Sequence, residues 1–374
     1  MVGYDIDRSR MAVHGATVVR LNPIKFPPTE AETATLRSHG ITTIPFEPSE
    51  EELSASEVQT LVQRHGEIDA VLIVSAKLQA AAIEQLGRCS CRVVARLGTG
   101  CDKIDDVALT AAGILLANVP EFCSEEMADH SFALLLSIVR KLPAMQEAVS
   151  TGRWKDSRIQ CQSIPRLRGT TIGLVGFGGS GRAMAVRAKA FGMRVLACRS
   201  DMRDSDGAAA AHGAELTPLE SLLPQCDFVS LHLPLTKSNQ RLINAEAIAR
   251  MRRGAVLINT SRGGLVDEEA MVEALRVGQL GGAGIDCFER IGLHGEDSPP
   301  TPEQHLGLVG LPNVALTPHV AAYSADAMAQ VGEEGATNLV TALQGTLPPM
   351  EKIVNPEVVP QWRRRFGDAQ QSSL

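Results

Sequence analysis

The stretch that decides the fold is "TIGLVGFGGSGRAMAVRAKAFG", residues 171 to 192. It opens as a short apolar run and continues with alanine, methionine and valine at helical spacing. At the junction stands Gly176-x-Gly178-x-x-Gly181, with Gly179 and Ser180 between the last two glycines. Glycine-rich turns are common, so the spacing alone carries little. Between a strand and a helix it carries much more. The first glycine allows a tight turn, the second lets a diphosphate approach the backbone, and the third lets the helix lie close to the strand. The helix N-terminus then faces the negative charge of that ligand. The expectation is a dinucleotide site.

An acidic residue usually takes the ribose hydroxyls at the end of the next strand. That strand ends here in "VLACRSDMR", and the position 18 residues past Gly181 is Arg199, followed by Ser200 and then by Arg203. Loss of the carboxylate removes repulsion toward a 2′-phosphate, and a guanidinium can bind that phosphate with two N–H groups. This favours NADP(H). NAD(H) is the alternative, with Arg199 a solvated surface group and Asp201 on the ribose.

Outward from the glycine loop, short apolar runs alternate with helical stretches in both directions. Toward the N-terminus, "VVRL" (18–21), "TTIPF" (42–46), "AVLIVS" (70–75), "RVVARLG" (92–98) and "ILLAN" (114–118) read as strands, with helices expected over 50–65 and 77–87. From the loop onward, "TIGLVGF" (171–177), "RVLAC" (194–198), "FVSLHL" (228–233), "AVLINT" (255–260), "AGIDCF" (283–288) and "VALTPH" (314–319) form a second series of six. Continuous apolar strands separated by helices mean parallel sheets covered on both faces. The segment 124–142 joins the two series as a helix with Ser124 as its expected N-cap. The stretch after His319 reads as a long helix, and the tail "PQWRRRFGDAQQSSL" as a frayed terminus.

The bulk composition excludes several classes. At 374 residues the chain suits two domains. A net charge of −7 argues against nucleic acid as partner. No apolar run approaches the roughly 20 residues that span a bilayer, and the N-terminus lacks the apolar core of a secretory signal. A cytoplasmic protein without membrane contact is expected. The eight cysteines show no CxxC pair and no zinc spacing, so they read as small buried hydrophobes in a reducing compartment, without metal.

One strand raises a separate question. "VALTPHVAAYS" (314–324) ends its apolar run on Pro318 and His319, a side chain that titrates near neutral pH. Together with "LGTGCDKID" (97–105), "NVPEFCSEEMADHSFALLLSIVR" (118–140), "VGFGGSG" (175–181), "LHLPLT" (231–236) and "INTSRGGLVDEEAM" (258–271), it makes the chain resemble the D-2-hydroxyacid dehydrogenase family over nearly its whole length. Within that family, "ARLGTGCDKID", "LRGTTIGLVG", "RAKAFG" and "TPHVAAYS" look closest to the branch containing the C-terminal binding protein corepressors.

The resemblance implies a nucleotide-binding Rossmann domain, residues 124–319, inserted in a flavodoxin-like substrate domain, residues 1–123 plus 320–374. Both are doubly wound parallel-sheet α/β domains, and hinges are expected near 120–124 and just after His319. It also implies a homodimer, for which the apolar helix 124–140 is a physical hint. The implied reaction is reversible hydride transfer between a nicotinamide and a 2-oxo or 2-hydroxy acid. By the same resemblance, Arg262 polarises the substrate carbonyl and His319 is the acid–base group. Backbone N–H groups around Gly98, Thr99 and Gly100 hold the carboxylate, and Arg96 either assists or forms a structural ion pair. Pro234, Thr236, Thr260 and Asp286 line the nicotinamide half of the site, with Asp286 on the carboxamide.

The chain departs from the family beside its histidine. A glutamate usually stands five residues after the aspartate and pairs with the histidine; here that position is Ile291. Glu289 is present, but its counterpart is usually not the catalytic acid. The segment between Asp286 and His319 is also longer than usual. Three readings stay open: Glu296 or Asp297 loops back to His319, His319 works without a carboxylate, or ordinary turnover is lost. Ala321 and Ala322 suggest a roomier pocket than the corepressor branch has. The rival to an enzyme is a nucleotide-sensing dimeric scaffold with little turnover.

Overall fold

Parallel strands buried on both faces are built mainly from apolar residues, and most strand positions here are apolar. The structure, a computed structural model, describes residues 13, 15–162, 164–289 and 307–367. Contacts divide these residues into two units, one running to Phe122 and resuming at Ser324, the other spanning Cys123–Tyr323.

The first unit contains β1 (Val18–Leu21), β2 (Thr43–Phe46), β3 (Ala70–Ile73), β4 (Val93–Arg96) and β5 (Leu115–Ala117). All pair in parallel in the order β2-β1-β3-β4-β5, the doubly wound order of flavodoxin. The long helix Ala325–Leu343 returns to cover this sheet, its N-terminus capped by Ser324, whose hydroxyl accepts from Ala327 N. Arg20, in the middle of β1, is buried against Glu32 at 3.1 and 3.2 Å. The third guanidinium nitrogen of Arg20, Nη1, donates to the carbonyls of Leu21 and Asn22, so this residue fixes the chain as it leaves β1. As far as Phe366, the tail expected to fray is a docked helix instead. Over Val359–Phe366 the chain is helical, Trp362 is fully buried with its indole N–H on Arg92 O, and Arg365 donates to the carbonyls of Gly87, Cys89 and Ala112. Trp362 and Phe366, one turn apart, with Arg365 on neighbouring carbonyls, dock this short basic helix.

The second unit contains β6 (Thr171–Val175), β7 (Arg194–Cys198), β8 (Ala214–Leu216), β9 (Phe228–Leu231), β10 (Ala255–Asn259), β11 (Leu280–Ile285) and β12 (Val314–Leu316). The order is β12-β11-β10-β9-β6-β7-β8, all parallel. Counted from β6 this is 3-2-1-4-5-6 plus one further edge strand, so the order reverses between β6 and β9. Strand β8 was not among the six expected, because three residues with a central glutamate carry no apolar run. Strand β11 begins earlier than expected, at Leu280, in the glycine-rich "LGGAGI". A side-chain carbon on Gly284 would lie 2.9 Å from Leu134 Cβ, and one on Gly282 would lie 2.5 Å from Ile138 Cγ2. The strand is glycine-rich because the helix Ser124–Val139 lies directly on it.

That helix buries Ala128, Phe132, Leu134, Leu135 and Val139 within its own unit, so its apolar face is used there. Its N-cap is Cys123 rather than Ser124, with no side-chain cap bond. The cysteines also differ from expectation. Cys89, Cys91, Cys226 and Cys287 are buried and Cys101, Cys123 and Cys198 half-buried, but Cys161 is exposed; all eight are free thiols. No helix among the described residues is long and apolar enough to cross a membrane.

Candidate active site

The strands of the second unit end level with one another. Cys198 of β7 pairs with Val175 of β6, Val175 with Leu231 of β9, and Leu231 with Asn259 of β10. Asn259 pairs with Ile285 of β11, which pairs with Leu316 of β12. The next residue of each strand leaves the same edge of the sheet. These are Arg199, Gly176, His232, Thr260, Asp286 and Thr317, all but His232 and Thr317 expected from the sequence. In an open α/β sheet this carboxyl edge, at the reversal between β6 and β9, is where ligands bind.

The glycine loop crosses that point. Gly176 has φ +97°, and a side-chain carbon there would lie 2.1 Å from His232 O. One on Gly181 would lie 2.5 Å from Gly176 O, whereas one on Gly178 would meet nothing within 4 Å. The first and third glycines are thus required by close packing, and the second leaves its outer side open. Gly178 caps the helix Gly179–Ala190, whose first turn includes Ser180. These features fit a diphosphate accepting from first-turn N–H groups.

Arg199 stands one residue past β7, as expected, but its guanidinium is engaged. Nη1 donates to both carboxylate oxygens of Asp206, at 2.8 and 3.1 Å, with Asp204 at 3.9 Å. Asp206 raises the Arg199 pKa and is itself lowered, chiefly by that hydrogen bond. Asp201 is lowered mainly by the Ser205 hydroxyl. Arg203 is exposed, and Ser200 follows Arg199 on the surface.

Past β9, Pro234 and Thr236 form an exposed turn held by Asn239, whose amide donates to Pro234 O and accepts from Thr236 N. Past β10, Thr260 is buried with its hydroxyl 2.8 Å from Ser131 Oγ. Arg262 is half-buried, its Nη1 donating to Ser261 O and its own carbonyl accepting from Asn259 Nδ2. A side-chain carbon on Gly263 would lie 2.0 Å from the Phe288 carbonyl carbon, so glycine there sets the turn that presents Arg262.

Asp286, which the resemblance places on the carboxamide, has partners within its own unit. It is fully buried, and its oxygens are spent inside the unit. Oδ1 accepts from Thr317 Oγ1 at 2.5 Å and Val320 N at 3.0 Å, and Oδ2 from Ala321 N at 2.9 Å. The Asp286 carbonyl accepts from His319 N at 2.9 Å. His319, half-buried, has φ +56°, a left-handed conformation that a non-glycine residue holds only when its surroundings impose it. One carboxylate therefore fixes the turn on which the histidine stands. His130 Nε2 lies 2.9 Å from Thr317 Oγ1 and joins the same group. Glu289 is held by Arg241 at 2.6 Å. Ile291, Glu296 and Asp297 lie outside the described residues.

Arg96, Gly98, Thr99 and Gly100 belong to the first unit, in the loop after β4. The Arg96 side chain donates to the carbonyls of Leu97 and Gly100, packing over Gly98, whose φ is +146°. Asn118 Nδ2 donates to Thr99 O at 2.7 Å and Val119 N to Gly98 O at 3.1 Å. Asn118, Asn239, Ser131 and Thr317 were missed from the sequence. Asn118 and Thr317 are small polar residues directly after a strand, a signal that would have found them; Ser131, inside a helix, and Asn239, in a later turn, carry no such signal.

The Asp286 arrangement has a measurable consequence. Asp286→Asn keeps the shape but replaces one acceptor oxygen with a donor, leaving a buried N–H unpaired at a cost of about 2 kcal/mol. Turnover should also fall, by roughly tenfold or more, as His319 loses its fixed turn. Denaturant unfolding and steady-state kinetics check both. An unchanged unfolding midpoint would mean that the carboxylate does not hold this turn.

Comparison with known proteins gives the site its context. Residues 132–321 match the family model described as D-isomer specific 2-hydroxyacid dehydrogenase, NAD binding domain. The chain is 40% identical over 269 residues to a glyoxylate reductase of Korarchaeum cryptofilum, covering 72% of this chain and 77% of that protein. Its structure is similar to that of a D-lactate dehydrogenase from Aquifex aeolicus complexed with NAD and lactic acid, with TM-score 0.75, 25% identity, and coverage of 91% and 99%. It is also similar to an acyclic imino acid reductase in complex with NADPH and D-Arg, with TM-score 0.71, 25% identity, and the same coverage of both chains. With a family model spanning the whole edge from the connecting helix to His319, and a relative of this identity over most of its length, the chain belongs to the D-isomer specific 2-hydroxyacid dehydrogenase family.

Proposed function

We propose that this protein reduces a small 2-oxo acid, glyoxylate or a close homologue, to the 2-hydroxy acid, reversibly and with a nicotinamide dinucleotide. The observation that carries the reading is that Arg262 and His319 follow β10 and β12 on the same sheet edge as the glycine loop. The bound dinucleotide supplies the hydride. Arg262 is suited to stabilise negative charge on the carbonyl oxygen as it develops, and His319 to give that oxygen its proton and take it back in the reverse direction. The 123–323 unit serves as the dinucleotide domain. The other unit serves as the substrate domain, with the N–H groups of Thr99 and Gly100 on the carboxylate, since Gly98 N donates to Arg96 O at 3.0 Å. Glyoxylate is the first substrate to test because the relative named above is a glyoxylate reductase, and Ala321 and Ala322 follow the histidine where bulk would otherwise narrow the pocket.

The test is NADPH or NADH oxidation, followed at 340 nm, against glyoxylate, hydroxypyruvate, pyruvate and bulkier 2-oxo acids. Arg262→Ala should lower kcat by about 10²–10³, and His319→Ala by about 10²–10⁴. No oxidation of either cofactor by any of these acids would reject the proposal.

NADP(H) is the favoured cofactor. No carboxylate occupies position 199, and the Arg199 guanidinium with the Ser200 hydroxyl can receive a 2′-phosphate in exchange for Asp206. Arg199→Ala should then lower kcat/KM for NADPH roughly 10–100-fold, the worth of a charged hydrogen bond, and leave NADH nearly unchanged. Equal losses with both cofactors would remove Arg199 from the choice.

The working form is a homodimer. The helix 124–139 spends its apolar face internally, but the two helices that follow it, Leu142–Ser150 and Trp154–Cys161, expose Leu142, Val149, Trp154 and Ile159. Clustered exposed side chains of this size mark an association surface. Sedimentation should give twice the 39.9 kDa chain mass, falling to a single chain mass in Trp154→Glu. A single chain mass for the wild type would end this claim.

A further inference from the structure

Ser230 and His232 take no part in the roles assigned so far, yet both are buried where β9 meets the glycine loop. They stand two residues apart, on one face of the extended chain. The His232 ring bridges two hydroxyls: Nε2 lies 2.8 Å from Ser230 Oγ, and Nδ1 lies 3.3 Å from Ser180 Oγ. Burial pushes His232 down to about 4, so near neutral pH the ring is uncharged, with one donor nitrogen and one acceptor. Ser230 has no exposed surface, and among the described residues the hydrogen-bond partner of its hydroxyl is Nε2 alone.

A buried hydroxyl that fails to donate is costly, so Ser230 donates to Nε2. The ring proton must then sit on Nδ1, from which it is donated to Ser180 Oγ. With that oxygen already accepting, the Ser180 hydrogen turns away from the ring. Ser180 is half-buried, in the first turn of the helix capped by Gly178, beside the position whose outer side is open.

We infer that Ser230 and His232 are positioning residues that fix the Ser180 hydroxyl as a hydrogen-bond donor to the diphosphate of the dinucleotide. In the opposite ring tautomer, Ser180 would donate to the ring and present lone pairs to an anion. The Ser230 hydroxyl, remote from any ligand, thus selects the polarity of the contact. The inference rests on the glycine loop holding a dinucleotide.

The test uses the full chain and NADPH, with binding followed by protein-to-nicotinamide fluorescence transfer. Ser180→Ala should raise Kd about tenfold, toward the lower end for a hydrogen bond to a charged group. Ser230→Ala should raise it by a similar factor, and the double variant should bind no more weakly than Ser180→Ala, because both remove one contact. Nitrogen-15 shifts of the His232 ring should show Nδ1 protonated in the wild type, with the Nε2-protonated form appearing in Ser230→Ala. An unchanged Kd in Ser180→Ala would overturn the inference. So would losses that multiply in the double variant, or an Nε2-protonated ring in the wild type. If the wild type binds neither NADPH nor NADH, the dinucleotide reading itself fails and the inference falls with it. Ser180→Ala removes a half-buried hydroxyl at a helix start, so its result does not depend on tolerance of a change in β9.

Discussion

Parallel strands cannot be joined by tight turns; each is followed by a crossover that returns the chain to the edge where the strand began. In the 123–323 unit this constraint sets the site. Six strands pair in register at Cys198, Val175, Leu231, Asn259, Ile285 and Leu316, so the residues after them leave the sheet together. Groups as far apart in sequence as Gly176 and Thr317 are brought to one edge by the backbone ladder alone. The side chains decide only what that edge does.

The chain leaves the sheet at its buried end, so polar groups there must find partners inside the protein. They do so in pairs and small groups. Thr260 meets Ser131 from the connecting helix, Asn259 holds the Arg262 carbonyl, and Ser230 meets His232. Asp286 gathers Thr317, Val320 and Ala321. Asn259, His232 and Asp286 each bond a more exposed neighbour, Arg262, Ser180 and His319 respectively. Asp286 illustrates the division most clearly: its carboxylate stabilises a left-handed histidine that would otherwise relax, while having no surface of its own.

The arginines follow a related logic. Arg96 ends β4 and Arg199 follows β7, and both guanidinium groups are engaged by acceptors of the protein itself, loop carbonyls in one case and Asp206 in the other. A guanidinium near its binding position already satisfied in this way loses less side-chain freedom when a ligand replaces the partner, at the cost of competing with that partner. For Arg199 the competitor is a full carboxylate, so any selectivity for a 2′-phosphate is an exchange between anions rather than a simple attraction.

Much of the fold was legible because its signals are local. The strand runs, the glycine loop and the tryptophan-bearing tail are contiguous stretches, although the last was misread where a single Trp362 outweighs four polar neighbours in its helix. Strand β8 and the start of β11 were hidden because pairing partners and the overlying helix Ser124–Val139 decide them, not their own composition. The same split runs through the site. Sequence by itself determined the alternation of strands and helices, the glycines that admit a diphosphate, and the presence of Arg262 and His319 after strands, since each depends on residue type and spacing. Only the tertiary structure decided that Asp286 faces inward, that Arg199 is already paired, and that His232 bridges two serines 50 residues apart. Hydrogen-bond partners are chosen by which chain segments the packed sheet brings within about 3 Å, and a sequence holds no distances.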